Sequence, residues 1–473
     1  MAVRKVNIPT KIAYAVGEIG PAIKNGGFEI FLLFYYTQVL QLSGTLAGLA
    51  LFIALCVDAI TDPLIGILSD NLKSRWGRRH PFMYASIIPF CLSFFLVFAP
   101  PGSLGEVGLF IWLVIFAVAV RASITLFAVP YYATGAELSD DYLERTSLVQ
   151  YRTMGLAIGN IILIFVAFTY FFAASPEYEN GQLNPAAYPT FAVAFSLIAF
   201  VAMLISVWGT HSEIPYLKKP AKQVSRKFTF QFAVSEFFGV LKSYAFRSIF
   251  IGMVFYFTMR GVMAVLGLHM GTYFWEFSPG ELRNINLGLT FAMVATIPCV
   301  KLVHKYIDKK TVLLVGLAFS FTFISAPPAL ALMGLFPENG TNLLFYVFFS
   351  TYVVLGIAAG FLGVTQASMI ADVSDDLELI SARRQEGILF GYLNFAGKTA
   401  SGFGHALAGV CLDFIAFPTD AAPGDVPAST LAELGLLYGP GIGVVGLISF
   451  YFFSKYNISR KRHAEIQVEL GRH

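Results

Sequence analysis

Long apolar runs separated by short polar stretches recur along the whole chain. A helix of about 20 apolar residues is enough to cross the hydrocarbon core of a bilayer. Twelve runs reach that length, at roughly 12–37, 44–70, 81–99, 107–137, 147–174, 188–210, 248–275, 284–304, 311–334, 341–371, 385–416 and 431–454. The pattern predicts an all-α membrane protein with twelve transmembrane helices.

The composition supports this interpretation. Hydrophobic residues make up 56% of the chain and charged residues only 13%, and the mean hydropathy is +0.69. These values lie far from those of a soluble domain. We therefore expect the lipid bilayer to be a partner of the chain. The net charge of +3 requires no nucleic-acid partner, because the bases decorate the connections between the apolar runs.

The basic residues are distributed asymmetrically between the two sets of connections. One set contains Arg4, Lys5, Lys11, Lys73, Arg75, Arg78, Arg79, Arg145, Lys301, Lys305, Lys309, Lys310, Arg383 and Arg384. The alternate connections contain a single base, Arg283. Since basic loops stay in the cytoplasm, this asymmetry predicts that both termini are cytoplasmic.

An internal repeat divides the chain into two parts. The segment 136–144 recurs at 371–378, so that Asp140-Asp141 matches Asp375-Asp376. We expect each copy to close the fourth span of its half and to open a cytoplasmic loop. Two pseudo-symmetric six-helix bundles of the major facilitator type follow from this repeat. The predicted units are 1–210, a basic linker 211–247 with an amphipathic segment, 248–455, and a cytoplasmic tail 456–473.

Two aspartates lie four residues apart inside the second apolar run. On a helix, Asp58, Thr61 and Asp62 share one face. A carboxylate at membrane depth costs at least about 2.5–3.5 kcal/mol, so a positive charge must compensate the pair. A structural ion pair and a helix end near water are two interpretations of this pattern. We favour a third interpretation, in which the two aspartates form a site for a coupling cation.

The same residues carry a family resemblance. Asp58–Pro63, followed by Lys73–Phe82, together with Phe34–Thr37 and Ala371–Asp375, resembles the glycoside–pentoside–hexuronide:cation symporters of the major facilitator superfamily. The resemblance implies alternating access, and it implies that a cation binds Asp58, Thr61, Asp62 and Thr125. These side chains suit either Na⁺ or H⁺; Na⁺ is the first choice.

The substrate side departs from the sugar-transporting members. Where those proteins carry carboxylates that grip sugar hydroxyls, this chain has Pro21-Ala22 and Ala128-Val129. Arg152 and Lys398 resemble instead the branch of sodium-dependent lysophosphatidylcholine symporters. That resemblance implies an amphiphile with an anionic head as substrate. The predicted substrate-binding residues are Arg152, Lys398, Tyr132 and Arg260. A sugar, glycoside or hexuronide remains the alternative, because a uronate carboxylate also suits an arginine.

For the other charged residues, the sequence predicts structural roles or leaves two interpretations. Gate or structural ion pairs are expected for Asp70, Arg75, Arg78, Asp140, Asp141, Asp375 and Asp376. Glu18, Lys24 and Glu29 either line the cavity entrance or belong to a solvated helix end. The repeated acidic motifs superficially resemble those of intramembrane prenyltransferases, which makes such an enzyme a remote alternative. We expect no enzymatic activity, no cofactor, no metal beyond the coupling cation, and a monomer in a bacterial inner membrane.

Overall fold

The computed structural model describes residues 6–139, 141–217, 237, 239–381 and 386–471, and in this part of the chain it contains helices and no β-strand. The helices of the first half are α1 (Ile8–Val16), α2 (Ile19–Gly26), α3 (Gly44–Asn71), α4 (His80–Val97), α5 (Glu106–Glu137), α6 (Tyr142–Val166) and α7 (Ala187–His211). Those of the second half are α8 (Tyr244–His269), α9 (Pro279–Tyr306), α10 (Lys309–Leu332), α11 (Asn342–Ser381), α12 (Glu386–Phe414), α13 (Ala428–Leu436), α14 (Ile442–Ser454) and α15 (Arg460–Glu469).

Ten helices of the described chain are long and apolar enough to cross a membrane. The predicted first span is also helical, but α1 and α2 continue into π-helical segments at Gly27–Leu32 and Tyr35–Val39. The predicted eleventh span corresponds to α12, which carries Lys398 and His405 within its length. The fold is therefore an all-helical, multi-pass membrane fold, while the count of twelve spans and the orientation of the termini stay predictions.

The two copies of the internal repeat differ in structure. The first copy ends α5 at Glu137, and Asp141 begins α6 by accepting a hydrogen bond from the backbone N–H of Glu144 at 2.9 Å. The second copy opens no loop, because α11 continues without a break to Ser381. The expectation of a loop at Asp375 was therefore wrong. Residues 218–236 of the predicted linker, which contain most of its amphipathic segment, lie outside the described part.

The two ends of the helix bundle differ in how the halves meet. We call the end that holds residues 71–79 and 305–309 the basic end, and the end that holds 38–43 and 415–428 the opposite end. At the opposite end Asp413 of α12 caps the first turn of α3. Its carboxylate accepts hydrogen bonds from the backbone N–H groups of Gly44 and Thr45, both at 2.8 Å, and from the Ser43 hydroxyl at 2.6 Å. This contact joins the two halves directly.

Glycines allow α3 and α12 to approach closely beside this cap. A Cβ atom added at Gly409 would lie only 2.0 Å from the carbonyl oxygen of Gly44. A Cβ atom at Gly48 would lie 3.0 Å from the carbonyl oxygens of His405 and Ala406. Larger residues at these positions would force the helices apart. Small residues at a helix crossing are the usual way for membrane helices to pack in close contact.

Further contacts between the halves lie at the same end. The guanidinium of Arg283 donates to the Thr169 hydroxyl at 3.0 Å, and Gln182 donates to the Thr272 hydroxyl at 3.0 Å. At the basic end, by contrast, the ion pairs between described residues join side chains of the same half. Examples are Arg78–Glu137 at 2.6 Å and Lys309–Asp372 at 2.7 Å. The halves are therefore closed against each other at the opposite end.

Replacing Asp413 by alanine is expected to favour opening at this end. The change removes the acceptor for two backbone donors and one hydroxyl, and each lost hydrogen bond is worth about 0.5–1.5 kcal/mol net. A shift of the closed-to-open ratio by about tenfold or more should follow. Double electron–electron resonance would measure this shift as a change in the distance between spin labels at Ser103 and Glu338. Asp420→Ala, which removes an exposed carboxylate in the same loop region, is the control and should leave the distances unchanged.

Candidate functional site

The two aspartates of α3 meet a threonine of α5 between the helices. Their spacing of four residues places both on the face of α3 that packs against α5. The hydroxyl oxygen of Thr125 lies 2.8 Å from Asp58 Oδ1 and 2.9 Å from Asp62 Oδ1. A hydroxyl has one proton, so it donates to one carboxylate at a time. Three of the four residues predicted to bind a cation are thus within one contact shell.

Thr61, the fourth residue predicted for the cation site, is oriented differently. Its hydroxyl donates to the backbone carbonyl of Asp58, three residues earlier, at 3.2 Å. Hydroxyls that bond back onto their own helix are common in membrane helices. In this state the Thr61 oxygen serves the backbone of α3, so a cation would have to draw it away from that bond.

A lysine from the other half of the chain reaches the aspartate pair. The Lys398 ammonium of α12 lies 3.1 Å from Asp58 Oδ2 and forms a short contact with Asp62 Oδ2. The sequence prediction grouped Lys398 with Arg152 in the substrate site. The structure places it in the carboxylate cluster, where it supplies a positive charge between the two halves. The side chains of Lys398 and Asp62 remain 39% and 30% exposed, so the cluster is accessible.

Two more bases surround the aspartates. Arg121 lies 3.5 Å from Asp58 Oδ2, and its guanidinium lies 5.3 Å from the ring centroid of Phe28. Lys24 is buried, interacts electrostatically with Asp58, and donates to the Asn25 side chain at 3.0 Å. The sequence left Lys24 open between two interpretations. The only signal was a charged residue inside an apolar run, which does not identify its partner.

The cluster therefore contains two carboxylates and three bases, and Glu29 is a further carboxylate that acts electrostatically on Lys24 and Arg121. Among the described residues, no group of three His, Cys, Asp or Glu side chains has a geometry suited to a metal ion. A small cation at this position would have to use the two carboxylates with hydroxyl and carbonyl oxygens. Hard monovalent and divalent cations prefer such oxygen ligands.

A second cluster lies between α2, α5 and α6. The guanidinium of Arg152 lies 4.8 Å from the ring centroid of Tyr132, and the Tyr132 hydroxyl donates to Glu18 Oε1 at 3.1 Å. The Tyr132 side chain is 39% exposed. Two of the residues predicted to bind substrate are thus in contact, and Glu18, which the sequence left undecided, is their neighbour.

The fourth predicted substrate residue lies in a separate cavity between the halves. Arg260 of α8 lines a space of about 380 Å³. Polar and aromatic side chains share its wall, among them Asn25, Glu29, Asn160 and Trp275. The indole N–H of Trp275 is buried without a hydrogen-bond partner in the described structure. The cavity thus offers a base, an acid, amides and one unused donor.

The predicted gate residues lie at the basic end. Asp70 pairs with Arg79 at 3.0 Å, Arg78 pairs with Glu137, and Arg75 lies over the Trp76 ring at 5.6 Å. On the second half, Asp375 accepts hydrogen bonds from Gln467 at 2.6 Å and contacts His463 at 3.1 Å, both of α15. Asp376 interacts electrostatically with Arg462. Asp140 lies outside the described residues.

Comparisons with known proteins agree with this fold. The chain is 26% identical to an uncharacterized symporter of Synechocystis sp., over 99% of this chain and 98% of that protein. It is 26% identical to the sodium-dependent lysophosphatidylcholine symporter 1 of Gallus gallus, over 98% and 88% of the two chains. It is also 22% identical to the lactose permease of Leuconostoc lactis, over 97% and 71%.

A solved structure and a family description complete the comparison. A variant of the nucleoside transporter NupG superposes with a TM-score of 0.69 at 13% identity, covering 95% of this chain and all of that one, which shows the fold. The family described as MFS/sugar transport protein matches residues 13–460. The chain therefore belongs to this family of the major facilitator superfamily and is a multi-pass membrane transporter, not an enzyme.

Proposed function

We propose that the chain is a cation-coupled symporter that works by alternating access, with Na⁺ as the coupling ion and H⁺ as the alternative. The observation that carries this proposal is the Lys398 ammonium held between Asp58 and Asp62. A positive charge is needed there in every state, because two neighbouring carboxylates at membrane depth repel each other. Lysine meets that need when no cation is bound. We expect the protein to act as a monomer in a bacterial inner membrane.

Coupling follows from competition for the carboxylates. When a cation takes oxygens of Asp58, Asp62 and Thr125, the ammonium of Lys398 loses its partners. The freed lysine is then available to an anionic substrate. Each ligand thus lowers the electrostatic cost of binding the other. A reciprocal coupling of about 1–3 kcal/mol is typical of such linkage.

The proposed substrate is a lysophospholipid or a similar amphiphile with an anionic head. It is supported by the bases that surround the aspartates in the cluster, by Arg152 beside an exposed tyrosine, and by Arg260 in the cavity. Arginines bind phosphate and carboxylate groups with paired hydrogen bonds. The apolar part of the cavity wall, which includes Trp275 and Phe348, suits the start of an acyl chain.

One observation favours the alternative substrate, a glycoside or hexuronide. The cavity wall includes Asn25, Glu29 and Asn160, and amides with a carboxylate are good partners for sugar hydroxyls. A volume of about 380 Å³ lies at the small end of the range of ligand pockets. It would leave most of an acyl chain outside the cavity. Both substrate classes therefore enter the test.

A thermal-shift panel on the purified protein in sodium separates the two classes. We expect lysophospholipids below their micelle concentration to raise the melting temperature, and Arg152→Ala to lose that shift while sodium still stabilises the variant. Neutral mono- and disaccharides should have no effect. Stabilisation by millimolar sugars or uronides, with none from lysophospholipids, would replace the preferred substrate by the alternative.

A further inference from the structure

Glu18 lies where the first span is interrupted, between α1 and α2. At this point the chain is pressed against α6. A Cβ atom added at Gly155 would lie 1.9 Å from the carbonyl oxygen of Ala15 and 3.3 Å from the Cβ of Glu18. Gly155 follows Arg152 by three residues, about one turn of α6. The close contact therefore sets Glu18 beside the part of α6 that carries Arg152.

The side chains of Glu18 and Arg152 meet through Tyr132. The Tyr132 hydroxyl donates to Glu18 Oε1 at 3.1 Å, and the Tyr132 ring lies under the Arg152 guanidinium at 4.8 Å. Arg152 also interacts electrostatically with the Glu18 carboxylate and with Tyr14. In the described part of the chain, Glu18 is the carboxylate that acts on Arg152. One acid, one base and one exposed aromatic ring thus form a compact unit.

The carboxylate of Glu18 is not fully satisfied by this arrangement. The residue is 5% exposed, and its second oxygen, Oε2, has no hydrogen-bond partner in the described structure. A buried charge without full pairing is stable only with an opposite charge nearby. Glu18 and Arg152 therefore depend on each other electrostatically. Any other anion that approaches Arg152 meets the field of Glu18 as well.

We propose that Glu18 is the resident counter-charge of Arg152 and determines the selectivity between anionic and neutral substrates. An anionic head that binds Arg152 is repelled by the nearby Glu18 carboxylate, which interacts electrostatically with the same guanidinium. A neutral substrate of the same size pays no such electrostatic cost. The inference rests on the assignment of Arg152 to substrate binding in the proposed function, and it gives Glu18 a role in selectivity.

Binding to protein in nanodiscs tests the proposal with matched pairs of ligands. One pair is lysophosphatidic acid and the monoacylglycerol with the same acyl chain. The second pair is methyl glucuronide and methyl glucoside, which covers the alternative substrate class. Glu18→Gln is expected to lower the dissociation constant of the anionic member by on the order of tenfold, because an opposite charge within a few ångströms has effects of this size. The neutral member should change less than about twofold on the same grounds.

Three further variants exclude a purely structural effect. Glu18→Asp keeps the charge and should restore the affinities of the unmodified protein. Arg152→Gln should weaken binding of the anion, and the double variant Glu18→Gln with Arg152→Gln should bind it no more tightly than Arg152→Gln alone. The double variant also contains no uncompensated charge, so it reports on this site even where Glu18→Gln folds poorly.

The outcomes distinguish the inference from the function on which it rests. If Arg152→Gln weakens anion binding but Glu18→Gln leaves it unchanged, or changes the neutral ligand equally, the inference is overturned and the proposed site stands. If Arg152→Gln does not affect binding of either anion, or neither anion binds at all, the assignment of Arg152 is overturned together with the inference.

Discussion

Replacing Asp58 or Asp62 by asparagine is expected to abolish cation-stimulated uptake while the protein remains folded. Each carboxylate contacts both Lys398 and Thr125, so each change removes half of the negative charge that a cation would bind. Truncating one partner of a buried, hydrogen-bonded charge pair in a binding contact costs about 2–5 kcal/mol of binding free energy. Cation affinity should therefore fall by about 100-fold or more.

Uptake into proteoliposomes with and without an inward sodium or proton gradient measures this effect. Asp70→Asn is the control, because Asp70 lies on the same helix but pairs with Arg79 at the basic end. The Asp70→Asn variant should keep the cation dependence of uptake, whatever its uptake rate. If both Asp58→Asn and Asp62→Asn accumulate substrate with an unchanged dependence on sodium or pH, the assignment of the cation site is wrong.

Replacing Lys398 by methionine is expected to separate cation binding from transport. The ammonium competes with the coupling cation for the same carboxylate oxygens, so its removal should tighten cation binding by about tenfold or more. Coupled uptake should nevertheless fall to near background. Uptake fails because the variant lacks the positive charge that links the two halves. An anionic substrate would use the same charge after cation binding.

Isothermal titration calorimetry with sodium measures the cation affinity, and gradient-driven uptake measures the coupled transport. Lys398→Arg is the matched control, because it keeps the charge but presents a planar fork with different geometry. It should retain weaker, competitive cation binding. An unchanged sodium affinity in Lys398→Met would show that lysine and cation do not share the site, and would contradict the proposed coupling.

The sequence predicted the helices well because the tendency of each apolar run to form a helix depends on that run alone. In a bilayer the backbone must satisfy its hydrogen bonds within the segment, so a long apolar run has few other options. The turn at residues 17–18 and the π-helical segments of the first span escaped prediction, since such local irregularities leave no clear mark in the pattern of apolar residues. The family resemblance likewise rested on contiguous motifs such as Asp58–Pro63.

The second copy of the acidic repeat shows where local sequence is insufficient. Nearly the same residues end a helix near Asp141 and continue one near Asp375. Both copies have ion-paired acids, Glu137 with Arg78 and Asp372 with Lys309. In the second copy, His463 and Gln467 of α15 also contact Asp375. These partners lie far away in the chain, and no local propensity specifies them.

The sequence by itself determined that the chain crosses a membrane, that Asp58 and Asp62 share a helix face, and which motifs resemble cation symporters, because each follows from neighbouring residues. Only the tertiary structure decided that Lys398 neutralises those aspartates and that Glu18 faces Arg152. Both pairings depend on helix packing, in the first case on the close approach of α3 and α12 at Gly44 and Gly409. A charge inside an apolar run shows that a partner must exist, but the packing of distant helices selects it.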